Sequence, residues 1–239
     1  MKFEKIVAFG DSFVWGDELL DPQLSHHNDA HPVMEENTIY RESNCFLGLL
    51  GSHYAVPTEN FGWPGGSLQS MIWTYLWWIQ NEPVPLNRCL VLVGLTESWR
   101  ISFYNPRHTG HGNDPPWNRF KHGTWLTDQS SDKDWADMYK RYLLLTDCTI
   151  LHQINLLQAL LFFHGQQQQH SALFQFKTMA SVETGREDLL LWPESDLASM
   201  LKKFGTDKML CQKGHPNEQG HQLIADRLIA EIDRVIIAG

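Results

Sequence analysis

Apolar residues fall along this chain in two kinds of run. Short continuous runs, rich in β-branched and aromatic residues and closed by Gly, predict buried strands at residues 4–10 and 88–94 ("RCLVLVG"); "ALFQFKTMA" at 172–180 alternates and reads as a third strand, with a shorter one near 53–56. Longer stretches repeat their apolar positions every three or four residues and predict helices. One is "SLQSMIWTYLWWIQN", capped by Ser67. A second, long helix runs from Trp135 to His164 with one break, and a third starts after Pro216 and reaches about Val235, with Leu223, Ile224, Leu228 and Ile232 on one face. Residues 45–51 are also expected to be helical. Between these, residues 17–44 are polar and His-rich and read as a long loop with a short helix, and residues 104–134 carry Pro, Gly, Asn and Asp throughout and read as a loop-rich insertion. The order strand, helix, strand, long helix, strand, helix implies an α/β fold: a parallel sheet covered by helices on both faces. No repeat or linker is visible, so residues 1–239 read as one domain.

Composition narrows the function classes. A hydrophobic content of 42% with 20% charged residues is ordinary for a globular protein. The formal charge of −9 and the lack of any basic cluster argue against a nucleic-acid partner. The N-terminal apolar run is too short for a signal peptide, and "LLQALLFF" is too short to span a bilayer, so no membrane partner is expected and the location expected is the cytoplasm. Cys45, Cys89, Cys148 and Cys211 are widely spaced, which fits a reducing compartment and offers no zinc cage. Nothing in the sequence fixes the oligomeric state.

In an open parallel sheet, sites form beyond the carboxyl ends of the strands. Three strand exits here carry Gly with a small polar residue: Gly10-Asp11-Ser12, "NFGWPGGS" at 60–67 and "GLTES" at 94–98. A fourth segment, "GHPNEQGH", puts His215 just before the last helix. Each alone is weak, since most such serines are turn residues and most such histidines are caps. In this order they form a constellation able to do nucleophilic chemistry: a serine hydroxyl is a poor nucleophile near neutral pH and needs an adjacent base, and histidine supplies one.

These four segments resemble the sequence blocks of the SGNH hydrolases, the GDSL family of esterases and lipases, and the opening block and "GLTES" are also similar to uncharacterised phage-encoded members. The resemblance runs from residue 6 to the last helix. It implies a three-layer, flavodoxin-like fold, Ser12 as nucleophile, His215 as base, and an oxyanion hole built from the Ser12 and Gly65 amides. Such an enzyme hydrolyses acyl esters through an acyl-Ser12 intermediate without a cofactor. For a phage-encoded member, association with a virion is an alternative to the cytoplasm. Two positions depart from the pattern. Thr96 stands where the family has Asn, leaving a hydroxyl as the third oxyanion donor, and Gln212 stands where the family has its acid. Gln212 can accept a hydrogen bond from Nδ1 but brings no charge. Asp207 is an alternative orienting group, with Asp17, Glu18 and Glu97 behind it, and a Ser12–His215 dyad is another. Asp11 is expected to cap or brace the turn.

Ten Trp are present, and Trp15, Trp63 and Trp99 lie within a few residues of the blocks. Aromatic faces stack on sugar rings, which makes an acylated carbohydrate an attractive substrate beside simpler small-molecule esters; the plainer reading is core packing. Trp73, Trp77 and Trp78 read as helix packing, and His221 as a structural residue of the last helix. "SHHNDAH" and the His108/His111 pair contain metal-ligating side chains, but a metal needs three or four converging ligands, so none is assigned. The competing class is a glycan-binding or structural module that kept the fold and lost catalytic power, supported by the departures at 96 and 212.

Overall fold

The computed structural model describes residues 3–24, 35–96, 100–104, 120–123, 173–178, 190–192 and 195–238. Four parallel strands form the main sheet: β1 (Lys5–Gly10), β2 (Thr58–Gly62), β3 (Cys89–Leu95) and β6 (Leu173–Lys177), in the order β2-β1-β3-β6. The expected α/β architecture with helices on both faces is the one observed. Side-chain alternation builds the layers. Ile6, Ala8, Leu90 and Leu92 face one side, where α3 (Phe46–Tyr54), α5 (Leu197–Lys203) and α7 (Glu218–Ala238) contribute Phe46, Leu201 and Leu228 to the core. Val7, Phe9, Val91 and Val93 face the other, against Met71, Tyr75 and Trp78 of α4 (Leu68–Asn81). Burial on both faces explains why β1 and β3 are apolar without interruption. Ser67 caps α4 through a reciprocal capping box with Ser70.

Four expectations shift. The strand expected near 53–56 lies at 58–62, because Ala55 adopts a left-handed φ of 53° that ends α3 and Pro57 has no N–H to give a ladder. The insertion at 104–134, expected as loop, includes a strand, β5 (Phe120–Gly123), paired antiparallel with β4 (Ile101–Tyr104). Trp73, expected to pack, is 57% exposed, because α4 turns the Leu68–Trp78 stripe to the sheet and Trp73 away. Two helices not read from the sequence appear near the C-terminal end: α5, capped by Asp196, and α6 (Thr206–Met209). The long helix expected over 135–164 lies outside the described residues.

The chain starts in the middle of the sheet, moves to β2 on one side, and crosses to β3 on the other. The crevice at such a reversal lies at the carboxyl end of β1, where the Gly-Asp-Ser exit stands. Among the described residues, no helix is long and apolar enough to cross a membrane.

Candidate active site

Ser12 is the first residue of α1 (Ser12–Trp15), a single helical turn laid over the strand ends. That placement needs bare backbone beneath it. A Cβ on Gly10 would come within 2.1 Å of the Val14 side chain, and one on Gly94 within 2.5 Å. Asp11 caps the turn, its Oδ1 accepting the Phe13 amide at 3.0 Å. Its Oδ2 accepts the Thr178 hydroxyl at 2.8 Å and faces Arg100 Nη1 at 3.3 Å. Asp11 is wholly buried, so this charge is compensated by a buried guanidinium rather than by water. At the other end of α1, Arg41 donates to the Trp15 carbonyl at 2.8 Å and Asn60 donates to the Val14 carbonyl at 2.8 Å. The turn that carries Ser12 is held at both ends.

His215 comes from the loop between α6 and α7. The Cys211 amide donates to the His215 carbonyl at 2.7 Å, and Asn217, just after it, accepts the Gly220 amide at 3.0 Å in the first turn of α7. This loop brings His215 Nε2 to 2.9 Å from Ser12 Oγ. The other ring nitrogen, Nδ1, lies 2.8 Å from Glu18 Oε2. A carboxylate accepts only, so the Nδ1 proton is donated to Glu18 and Nε2 is left to accept from the serine hydroxyl. Glu18 also accepts the Lys213 amide at 2.9 Å and the His215 amide at 3.2 Å. Its backbone takes a φ of 66°, a left-handed conformation uncommon for a side-chain-bearing residue and found where surrounding contacts impose it.

The structure therefore brings Ser12 and His215 together and puts Glu18 at the nitrogen for which Gln212 and Asp207 are the first sequence candidates. Gln212 is exposed, and Glu18 holds the Nδ1 position. The Asp207 side chain and Glu97 lie outside the described residues. So does Trp99, as do the His-rich segment at 25–34 and the pair His108 and His111. Among the described residues, no group of three or more His, Cys, Asp or Glu is arranged to hold a metal. The sequence gives Glu18 no distinguishing mark, nor does it single out Arg41, Arg100 or Thr178, whose roles depend on contacts distant in the chain.

Trp63 to Gly66 form a turn closed by the Gly66 amide on the Trp63 carbonyl at 2.8 Å. Pro64 and Gly65, with Gly65 at φ 75°, occupy the two central positions, as a type II turn requires. The Trp63 amide ties this turn to the Gly10 carbonyl at 3.0 Å, two residues before Ser12. Thr96, at the end of β3, has a buried hydroxyl with no hydrogen-bond partner among the described residues. Trp15 and Trp63 meet edge to face with centroids 5.5 Å apart, and the Arg41 guanidinium lies 3.5 Å over the Trp15 ring. One face of Trp15 is thus taken by a cation–π contact.

About one turn into α7, His221 is fully buried and its Nδ1 accepts the Phe46 amide at 3.2 Å, capping α3. Burial, and then His215, push its pKa down to about 3. The unfolded chain therefore binds this proton more readily than the folded one between pH 3 and the ordinary value of 6.5, so the contribution of His221 to stability is full above that window and is lost as pH falls through it. His221→Gln removes this dependence. The stability difference, wild type minus variant, is expected to climb with pH inside the window by up to about 1.4 kcal/mol per unit and to be flat above it. Urea unfolding at several pH values checks this, and a flat difference throughout rules out a buried neutral imidazole.

No protein-family model matches the chain, and no curated protein sequence matches it significantly. The structural neighbours are lipolytic proteins of the G-D-S-L family and carbohydrate esterases. A two-domain esterase active on acetylated mannans, co-crystallised with mannopentaose, superposes with a TM-score of 0.51 at 12% identity, over 98% of this chain and 50% of that one. This chain thus spans half the length of that protein. An acetylxylan esterase from Geobacillus stearothermophilus, solved as a catalytic mutant, gives 0.48 at 13% identity over 97% and 95% of the two chains. A member of the lipolytic G-D-S-L family from Veillonella parvula gives 0.41 at 13% identity over 95% and 96%. At 12% identity, what the mannan esterase shares with this chain is the fold.

Proposed function

We propose that this protein is a serine esterase with Ser12 as nucleophile, His215 as general base and Glu18 as the acid that orients the imidazole. The observation that carries the reading is the chain of short contacts from Glu18 Oε2 through the ring of His215 to Ser12 Oγ, 2.8 and 2.9 Å long, at the carboxyl edge of the sheet. Ser12 Oγ attacks the ester carbonyl carbon and its proton passes to Nε2. The tetrahedral intermediate collapses, the acyl C–O bond breaks, and the Nε2 proton goes to the departing alcohol oxygen. Water then attacks acyl-Ser12 by the same route in reverse, releasing the carboxylic acid. The imidazolium formed in each half-reaction is stabilised by Glu18. A Glu18 carboxylate at Nδ1 answers one of the two departures that favour a catalytically impaired binding module, the missing acid at position 212; Thr96 is the other.

The Ser12 and Gly65 amides and the Thr96 hydroxyl are the donors proposed for the oxyanion. Trp15 and Trp63 border the site, and a neighbour of the same fold acts on acetylated mannans, so O-acetyl carbohydrates stand first among the esters to test. A fluorophosphonate probe, which needs no knowledge of the substrate, is expected to label Ser12 in the wild type; peptide mapping that finds another residue, or none, overturns the reading.

Thr96→Val separates a donor from a packing residue. A buried hydroxyl without a partner costs about 1–3 kcal/mol, so its loss is not expected to destabilise the fold. If the hydroxyl donates to the oxyanion, kcat falls by about a hundredfold or more while KM changes little. Wild-type kcat with an unchanged unfolding midpoint makes the oxyanion hole backbone-only.

A further inference from the structure

A second carboxylate stands at the site, and the triad does not use it. Asp17 is bound to α1 by its own amide, which donates to the Ser12 carbonyl at 3.0 Å, and its Oδ1 accepts the Glu18 amide at 3.1 Å. Its Oδ2 lies 3.7 Å from His215 Nε2, too far for a hydrogen bond, with the side chain 17% exposed. The two acids therefore sit at opposite nitrogens of one ring. Glu18 is hydrogen-bonded to Nδ1. At Nε2 the hydrogen-bonding position is occupied by Ser12 Oγ at 2.9 Å, and Asp17 lies beside it.

Nε2 is the nitrogen that returns its proton to the departing alcohol, whose oxygen must come within hydrogen-bonding reach of it. Whatever that oxygen is attached to then lies within a few ångströms of Asp17 Oδ2. We infer that Asp17 is a specificity-determining residue of the proposed esterase, favouring esters whose alcohol part is neutral and carries a neighbouring hydroxyl, as in a sugar or polyol, and rejecting esters whose alcohol part is anionic. A neutral hydroxyl donates to the Oδ2 carboxylate. An anionic group meets a like charge in a partly desolvated crevice, where the repulsion exceeds its value in water. The inference rests on the esterase reading.

The test uses a matched pair of aryl acetates, 3-acetoxybenzoate and its methyl ester, which differ in the charge of the alcohol part. The readout is the ratio of kcat/KM, neutral over anionic. Wild type is expected to favour the neutral ester by at least tenfold, and Asp17→Asn to lower that ratio about tenfold; a residue that only supports the fold lowers both rates and leaves the ratio alone. A fall in the ratio of less than threefold overturns the inference. If Asp17→Asn does not fold, the wild type itself decides: the ratio must shrink as ionic strength rises from about 0.02 to 0.5 M, because screening weakens the repulsion, and a salt-independent ratio overturns the inference. Failure of the underlying reading looks different, with neither ester turned over and no fluorophosphonate on Ser12.

Discussion

Ser12→Ala and His215→Ala are each expected to lower kcat on a short aryl ester such as p-nitrophenyl acetate by about 10⁶, and the double variant to lose no more than either single one. The reason is that the two side chains act as one device. Ser12 Oγ is 2.9 Å from Nε2, and a serine without its base is nearly inert at neutral pH, while the base without a serine has nothing to deprotonate. What survives is the activity of the amides proposed to face the oxyanion. Steady-state kinetics on the three variants check the prediction. Wild-type turnover in Ser12→Ala discards Ser12 as nucleophile, and losses that multiply in the double variant discard the pairing.

The second large effect belongs to Glu18. Replacing a triad acid by its amide in a serine protease costs about 10⁴ in kcat, because the imidazole is held in the wrong tautomer and its cation is left without a partner. Glu18→Gln is expected to cost the same order here. Gln212→Asp and Asp207→Asn are expected to change kcat only a few-fold, since Nδ1 is already engaged by Glu18 at 2.8 Å. Should Asp207→Asn carry the large loss instead, Glu18 is not the orienting acid. Glu18→Gln also has a stability arm. The carboxylate accepts the amides of Lys213 and His215 with separate oxygens, and an amide has only one acceptor oxygen. Losing one bond to a charged group costs about 1.5–3 kcal/mol, so the thermal midpoint falls as well, and kcat is compared at a temperature where both proteins are folded.

The parts of this design that could be read from the sequence are those written locally. β1 and β3 announce themselves because both of their faces are buried, which leaves an unbroken apolar run. The stripe Leu223–Ile232 of α7 does so because a helix against a sheet keeps one apolar face. Ser12 and His215 were legible because each sits at an element boundary with Gly beside it, where backbone geometry constrains residue type. Glu18 was not, since its selection depends on a loop 197 residues further on and on a backbone conformation imposed by that loop. The strand at 58–62 was misplaced by a few residues because the left-handed Ala55 has no sequence signature. The exposure of Trp73 was hidden because residue type alone does not say which side of a helix meets the sheet.

The tie between Glu18 and the loop carrying His215 has a consequence for how the protein comes to exist. Ser12 and Glu18 leave the ribosome 203 and 197 residues before their partner His215. β1, which leads into Ser12, also needs β2 and β3 beside it, with β6 against β3, before the sheet beneath the site is complete. Under the proposed mechanism, a nascent chain therefore presents Ser12 with no base and Glu18 with nothing to orient, and the serine is armed only when the loop carrying His215 docks ahead of α7. Under the proposed mechanism, a chain truncated before His215 is expected to be silent in hydrolysis, however well the strands before it have folded.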